Sequence, residues 1–332
     1  MSEPSGRVVY MNGEFVPETE AKVSIYDSAL MFGDMVFEMT RSFKKEQFRL
    51  REHLERLYAG IKFVHIPLEM TIDEMEKACL ETIERNEPYF DAHDEHRLMI
   101  NVTRGPLGLY AHLFGEESKP LVIIADFPLK WTVAFMEDLY DSGINAVVPS
   151  QRAIPATLME PKVKNRSRLF YQMANIEVSK FKGKNNWPLL LDPDGFVAES
   201  SSGNFFMAKD GVVYTPEPRN ILRGITRDYV MELCEAAGTP CIEKNLEVYD
   251  VLTADEAFFT ATPYCLVPVT RLNGQDIGDG KRGKIFQRLM DDWSKVVGLD
   301  IEQQIRDYGK EAKDLLSNAP TPYKFSTDDT ED

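Results

Sequence analysis

The sequence predicts a two-domain α/β (α+β) protein: a small N-terminal α/β domain followed by a larger, strand-rich, barrel-like domain. Residues 1–126 mix alternating strands with two helices of clear 3.6-residue periodicity. Residues 127–140 form the least regular stretch between periodic segments and are expected to link the two domains. From residue 141 onward short strands outnumber helices, which suits a barrel. With 332 residues the chain can build two cores of this kind.

Residues 8–16 read as a hairpin around Asn12-Gly13, a dipeptide that accepts the positive φ of a tight turn. Residues 28–33 form a small-residue turn, 35–43 alternate as a strand, 44–47 turn, and 48–50 return as a strand. Residues 51–63 place Leu54, Leu57 and Ile61 on one helical face, and the helix over 71–86 opens with the capping box Thr71-x-x-Glu74. Strands over 97–103 and 121–125 complete the first domain. In the second, 141–315, strands are expected over 144–148, 189–191, 204–208, 212–214, 241–243, 256–260 and 266–269. Its helices are expected over 168–180, 226–237 and within 284–296. The acidic residues 316–332 read as a disordered tail.

Composition narrows the function. Hydrophobic residues make up 43% and charged residues 28%, as in ordinary globular proteins. With 54 acids against 38 bases, the net charge of −16 repels nucleic acid and anionic membranes, so neither is expected as a partner. No apolar run or N-terminal leader core is evident, and Cys79, Cys234, Cys241 and Cys265 are scattered without metal-ligand spacing; a cytoplasmic setting is expected. His53, His65, His93, His96 and His112 have neither triad nor zinc spacing, and no Gly-x-Gly-x-x-Gly or Walker loop occurs, so no metal or nucleotide site is expected.

Three motifs carry the chemistry. The first, Met159-Glu-Pro-Lys-Val-Lys-Asn-Arg-Ser-Arg168, offers an amine able to form a Schiff base. The second, Val197-Ala-Glu-Ser-Ser-Ser-Gly-Asn204, offers a carboxylate able to pair with a pyridinium nitrogen. The third, Ile221-Leu-Arg-Gly-Ile-Thr-Arg227, offers a glycine and a helix start where backbone N–H groups favour a phosphate. Pyridoxal phosphate (PLP) chemistry needs these three at the ends and edge of one flat ring. Singly, each is ordinary: a solvated Lys-x-Lys edge, a loop glutamate, a helix capped by Thr226. Lys162 and Lys164 both compete for the amine role, and on a strand both would point the same way.

In this ordered set the chain resembles the class IV aminotransferases, PLP enzymes of fold type IV, across residues 8–300. That family includes branched-chain amino acid, D-amino acid and (R)-amine transaminases and aminodeoxychorismate lyase. The resemblance implies a small N-terminal α/β domain, a larger C-terminal pseudo-barrel, PLP as cofactor and a homodimer. The family's helix glutamate follows its lysine by thirteen or fourteen residues; Glu177 lies thirteen after Lys164, which selects Lys164 as the catalytic residue. By the same resemblance Glu199 faces the pyridine nitrogen, Leu222 packs on the ring, and Gly224, Ile225, Thr226, Thr262 and Arg56 serve the phosphate. His53 shares the motif of Arg56 and is expected to support it. Ser200 stands where the family usually has glycine.

Substrate recognition is read from Phe32-Gly-Asp-Met-Val-Phe-Glu-Met-Thr-Arg41 and Val102-Thr-Arg-Gly105, both closer to the D-amino acid branch than to the branched-chain one. Phe37, Arg104 and Ala261 are expected on the substrate side, with Arg104 on a carboxylate. Arg166 and Arg168 stand where relatives carry small or apolar residues, open between binding a carboxylate and pairing with nearby acids. The activity expected is amino transfer between an amino acid or primary amine and a 2-oxo acid. The alternatives are a PLP lyase of the same fold and a PLP-binding protein without turnover.

Overall fold

The structure, a computed structural model, describes residues 6–113 and 119–316. Two compact units emerge. The first comprises Met1–Trp131 with Val163–Arg168, and the second Thr132–Lys162 with Leu169–Asp332. The segment around Lys164 therefore belongs to the first unit, although the chain on either side of it belongs to the second.

The first unit opens with the antiparallel hairpin β1 (Val8–Met11) and β2 (Glu14–Pro17). Asn12 and Gly13 take φ of 46° and 99°, the two positive values a two-residue hairpin turn requires. Residues 28–33, expected as a turn, form the short helix α1 (Ser28–Phe32), because Asp27 caps the N–H of Ala29 and Gly33 ends it in the left-handed region. Then come β3 (Met35–Met39), β4 (Ser42–Phe43), β5 (Glu46–Gln47), α2 (Leu50–Phe63), α3 (Ile72–Asn86), β6 (His96–Thr103) and β7 (Leu121–Pro128). The sheet runs β2-β1-β7-β6-β3, with Phe37 paired to Asn101 and Glu38 to Ile100. Val36, Leu54, Leu57, Ile61, Ile100 and Ile124 meet in the core between sheet and helices. Thr71 and Glu74 form the expected capping box on α3.

The strand expected over 35–43 breaks after Met39, and 48–50 is no strand. The carboxylate of Glu95 gathers the Ser42 hydroxyl and the N–H groups of Lys44 and Lys45, folding 42–47 into its own tight hairpin.

Residues 127–140 are more regular than their sequence suggests. Strand β7 runs to Pro128, and α4 (Lys130–Val133) and α5 (Leu139–Ser142) follow, with Val133, Ala134, Met136, Leu139 and Tyr140 buried. The second unit continues through β8 (Ile144–Val147), α6 (Leu169–Val178), β9 (Asn186–Leu191), β10 (Val197–Ser200), β11 (Asn204–Lys209), β12 (Val212–Pro216), α7 (Ile225–Ala236) and β13 (Cys241–Lys244). It ends with α8 (Val248–Leu252), β14 (Glu256–Ala261), β15 (Cys265–Leu272), β16 (Gln275–Asp276), α9 (Lys284–Val297) and α10 (Ile301–Leu316). Its sheet runs β10-β9-β8-β15-β14-β11, and the pairing of Glu199 with Asn204 joins β10 back to β11 and closes the barrel. Helix α10 was not expected from the sequence; it buries Ile301, Ile305 and Tyr308. Of the proposed tail, Leu316 ends this helix and 317–332 lie outside the described residues. No described helix is long and apolar enough to cross a membrane.

Aromatic rings organise the barrel wall. Phe206 and Phe258 are cross-strand partners whose rings stack at 5.3 Å, and Phe286 of α9 meets Phe258 edge-on at 6.1 Å. All three are fully buried. Phe258→Ala is expected to cost about 3–5 kcal/mol, visible in a denaturant titration as a lower midpoint with unchanged slope.

Candidate active site

In the first unit the strap 163–168 lies against β3. The N–H of Phe37 donates to the Lys164 carbonyl at 2.9 Å, the N–H of Arg166 donates to the Met35 carbonyl at 3.0 Å, and Val36 bridges to Asn165. Val163 is buried in the core beside Val36. Side chains alternate along such a strap, so Lys164 and Arg166 share one side. The Phe37 ring lies on that side: Lys164 Nζ sits 5.0 Å from its centroid, Arg166 Cζ 3.6 Å and Arg168 Cζ 5.8 Å. Lys162 is engaged elsewhere, in an ion pair with Glu160 at 2.6 Å and a hydrogen bond to the Arg219 carbonyl. Residues 161–163 form a turn, so the two lysines do not share a strand face. Glu177, the offset marker, accepts from Ser150.

Behind Phe37 in sequence, Glu38 points into the helix-covered core. Arg56 Nε and Nη2 donate to its two oxygens at 2.6 and 2.8 Å, and His53 Nδ1 lies 2.8 Å from Oε2. Burial alone would raise the Glu38 pKa, but the Arg56 charge and the His53 contact hold it far below the usual carboxylate range. Burial pushes His53 down, and the Glu38 contact opposes this only in part. His53 is therefore neutral near pH 7 and positions Glu38, which in turn orients the Arg56 guanidinium.

Arg104 departs from expectation. Its Nε and Nη2 donate to Asp34 at 2.6 and 3.2 Å, Nη1 to the His65 carbonyl and Nη2 to the Val64 carbonyl, both at 2.7 Å. With every nitrogen in use, Arg104 ties the end of β6 to the end of α2 rather than offering a fork to a substrate.

In the second unit Glu199 is buried. The Tyr171 hydroxyl donates to its Oε1 at 2.6 Å, while Asn204 Nδ2 and the Leu222 N–H donate to Oε2 at 3.0 and 3.1 Å. Asn204 also donates to the Leu222 carbonyl at 2.9 Å. Gly224, not Thr226, is the N-cap of α7, and no side chain caps this end. A Cβ at Gly224 would come within 2.2 Å of Asn204 Oδ1, so the close approach demands glycine. The first-turn N–H groups of Ile225 and Thr226 have no partner within their own helix. Ala261 ends β14 and Thr262 stands in the turn to β15.

Sequence reasoning did not single out Glu38 or Tyr171. Glu38 carries a readable signal, an acid on the core-facing alternation of β3. Tyr171 has none, since only the fold sets its hydroxyl on Glu199.

The first unit thus offers an amine on an extended strap, and the second a clamped carboxylate and an uncapped helix start cradled by glycine, the functional groups that a PLP enzyme uses. Comparison with known proteins gives the class. The model of the class IV amino-transferase family matches residues 35–272. A Methanocaldococcus jannaschii protein, whose name assigns it provisionally to the branched-chain-amino-acid aminotransferases, is 35% identical over 290 residues, spanning 87% of this chain and 96% of that protein. The Escherichia coli K12 branched-chain-amino-acid aminotransferase is 30% identical over 295 residues, spanning 87% and 92%. Among solved structures, the E. coli branched-chain enzyme superposes with a TM-score of 0.79 at 26% identity, covering 88% of this chain and 95% of that one. The T.th. branched-chain enzyme with pyridoxamine 5′-phosphate gives 0.77 at 28% identity, covering 92% and 97%. The chain belongs to the class IV aminotransferases. It is a transaminase that uses pyridoxal 5′-phosphate, and the donor set around Glu199 and Gly224 suits that cofactor.

The buried triplet makes a testable demand. Arg56→Met leaves Glu38 with only a neutral histidine and is expected to cost about 3–5 kcal/mol, most of which Glu38→Gln in the same chain should return. Because the Glu38 pKa is depressed, its contribution is present above the ordinary carboxylate range and is lost as pH falls toward the folded value. His53, pushed by burial below the ordinary histidine value, adds a loss that begins as pH drops through that ordinary value. Chemical denaturation of wild type and double variant from about pH 5 downward should show the flatter profile in the double variant, which lacks the Glu38 carboxylate.

Proposed function

We propose that this transaminase moves the amino group of an α-amino acid to a 2-oxo acid, with branched-chain amino acids the leading donors. The observation that carries the site assignment is the strap along β3, which holds Lys164 Nζ over the Phe37 ring beside a second cation. The branched-chain preference is supported by the names of the relatives at 35% and 30% identity. When bound, pyridoxal 5′-phosphate supplies the carbonyl that captures the amino group and the ring that takes up the electron pair left on the substrate Cα.

In this reading Lys164 holds the cofactor through its amine and moves the proton at the substrate Cα. Glu199, fixed by Tyr171, Asn204 and the Leu222 N–H, keeps the pyridine nitrogen protonated. The N–H groups of Ile225 and Thr226, the close backbone at Gly224, Thr262 and the Glu38-oriented Arg56 take the phosphate. Leu222 covers the ring, and Phe37 and Ala261 border the substrate. The protein works as a homodimer: Ile25, Leu30, Phe32 and Leu109 are all more than 60% exposed. They stand on neighbouring segments joined by hydrogen bonds from Ser28 to Gly105 and from Leu107 to Tyr26. Four free cysteines suit a reducing compartment such as the cytoplasm.

A donor panel on the PLP form, with both enantiomers of alanine, leucine and glutamate plus 1-phenylethylamine, should bleach the visible cofactor band fastest with L-leucine. A faster D-alanine reaction would move the enzyme to the D-amino acid branch, and no bleaching by any donor would remove the reading. Lys164→Ala should abolish the reaction while Lys162→Ala leaves it near wild type; borohydride tagging of Lys162 would reverse the assignment. Glu199→Gln should still retain cofactor but slow amino transfer on the order of a hundredfold, comparable to losing one preorganised electrostatic partner. Wild-type turnover there would take Glu199 out of the mechanism.

A further inference from the structure

We propose that Arg166, held by Asn101 and stacked on Phe37, receives the substrate's α-carboxylate and so selects amino acids over amines that lack one. The inference rests on the transaminase reading with Lys164 as the reactive amine.

The chain has 54 acidic residues and a net charge of −16, and four other arginines of the first unit pair with carboxylates. Arg7 pairs with Glu18, Arg51 with Asp73, Arg56 with Glu38 and Arg104 with Asp34. Arg166 has no carboxylate within ion-pair distance among the described residues. Its Nε and Nη2 both donate to one neutral acceptor, Asn101 Oδ1, at 3.2 and 3.0 Å. Burial and the neighbouring charge of Arg168 push its pKa down to about 10. A half-buried guanidinium without a counter-charge is costly, and a bound anion offsets that cost.

The geometry also says which edge is offered. Asn101 occupies the Nε/Nη2 side, Phe37 fixes the plane from 3.6 Å, and Nη1 has no hydrogen-bond partner among the described residues. The end-on Nη1/Nη2 edge is thereby presented for a bidentate carboxylate. Lys164, two residues earlier on the same strap, brings its Nζ within 5.0 Å of the same ring. Amine and guanidinium so close to one ring fit an anion attached to the amino-bearing carbon itself. Asn101 is a positioning residue in this scheme, because Phe37 and Asn101 are cross-strand partners between β3 and β6.

The test compares holoenzyme of wild type, Arg166→Leu and Arg166→Lys on L-leucine and on the carboxylate-free isopentylamine, and titrates unreactive valerate into each by calorimetry. In Arg166→Leu the amino acid to amine ratio of kcat/KM should fall about a hundredfold, mostly through KM, and valerate binding should weaken similarly. Arg166→Lys should recover part of both. An unchanged ratio with equal losses on both donors would make Arg166 structural, and weakened PLP retention would assign it to the phosphate; either result overturns the proposal. Valerate bound equally by wild type and Arg166→Leu would overturn it even if wild type proved inactive on every donor, an outcome that instead speaks against the transaminase reading.

Discussion

Two residues five apart in sequence, Glu199 near the end of β10 and Asn204 at the start of β11, pair with one another, and that pairing closes the barrel of the second unit. The same two side chains are hydrogen-bonded, and Asn204 spends its second donor on the Leu222 carbonyl just ahead of α7. Closure of the barrel and the fixing of the proposed pyridine-facing carboxylate are thus one contact. The carboxylate cannot swing without losing its bonds to Tyr171 and Asn204, and the helix start cannot drift without losing the Leu222 hydrogen bond to Glu199. Gly224 completes the constraint, since any Cβ there would collide with Asn204 Oδ1. A carboxylate held on the seam of a barrel shares the barrel's rigidity, which is what electrostatic preorganisation asks of the role proposed for Glu199.

The first unit solves a different problem. Its catalytic candidate comes on a strap borrowed from the middle of the second unit's sequence, so the strap must be held by the sheet it visits. Backbone hydrogen bonds to Phe37 and Met35 supply direction, and Val163 anchors the strap in the core. Beneath it, β3 alternates between two roles. Val36 and Glu38 face the helices, and Phe37 faces Lys164 and Arg166. A fully buried glutamate on that inner face is tolerable because Arg56 makes two short hydrogen bonds to it and His53 a third contact.

Local chemistry made much of this legible. Asn12-Gly13 and the Thr71–Glu74 capping box specify their turn and helix start through nearest neighbours alone, and both formed as read. The strand break after Met39 was illegible because it depends on Glu95, some fifty residues distant, drawing in the N–H groups of Lys44 and Lys45. Helix α10 was legible in principle: Ile301, Ile305 and Tyr308 stand at helical spacing, but the charged residues between them masked the stripe. At the site, residue types and order pointed to the cofactor. Which arginine is bound up in the structure could not be read, because Asp34 lies seventy positions from Arg104.

That last difference follows from charge. In a strongly acidic chain, folding pairs most cations with whatever carboxylate the topology brings near, so a conspicuous arginine motif is weak evidence for a ligand. What distinguishes a cation available to a substrate is that the fold keeps acids away from it while still fixing its plane and one of its edges. Arg104 fails that criterion, with Asp34 across its fork and two carbonyls on its remaining donors. Arg166 meets it with neutral partners only, an amide and an aromatic face. An amide can orient a guanidinium without cancelling its charge, and a phenyl ring can support it without competing for its hydrogen bonds. The carboxylate-binding capacity of this fold is therefore decided less by where its arginines are than by which of them have been spared a partner.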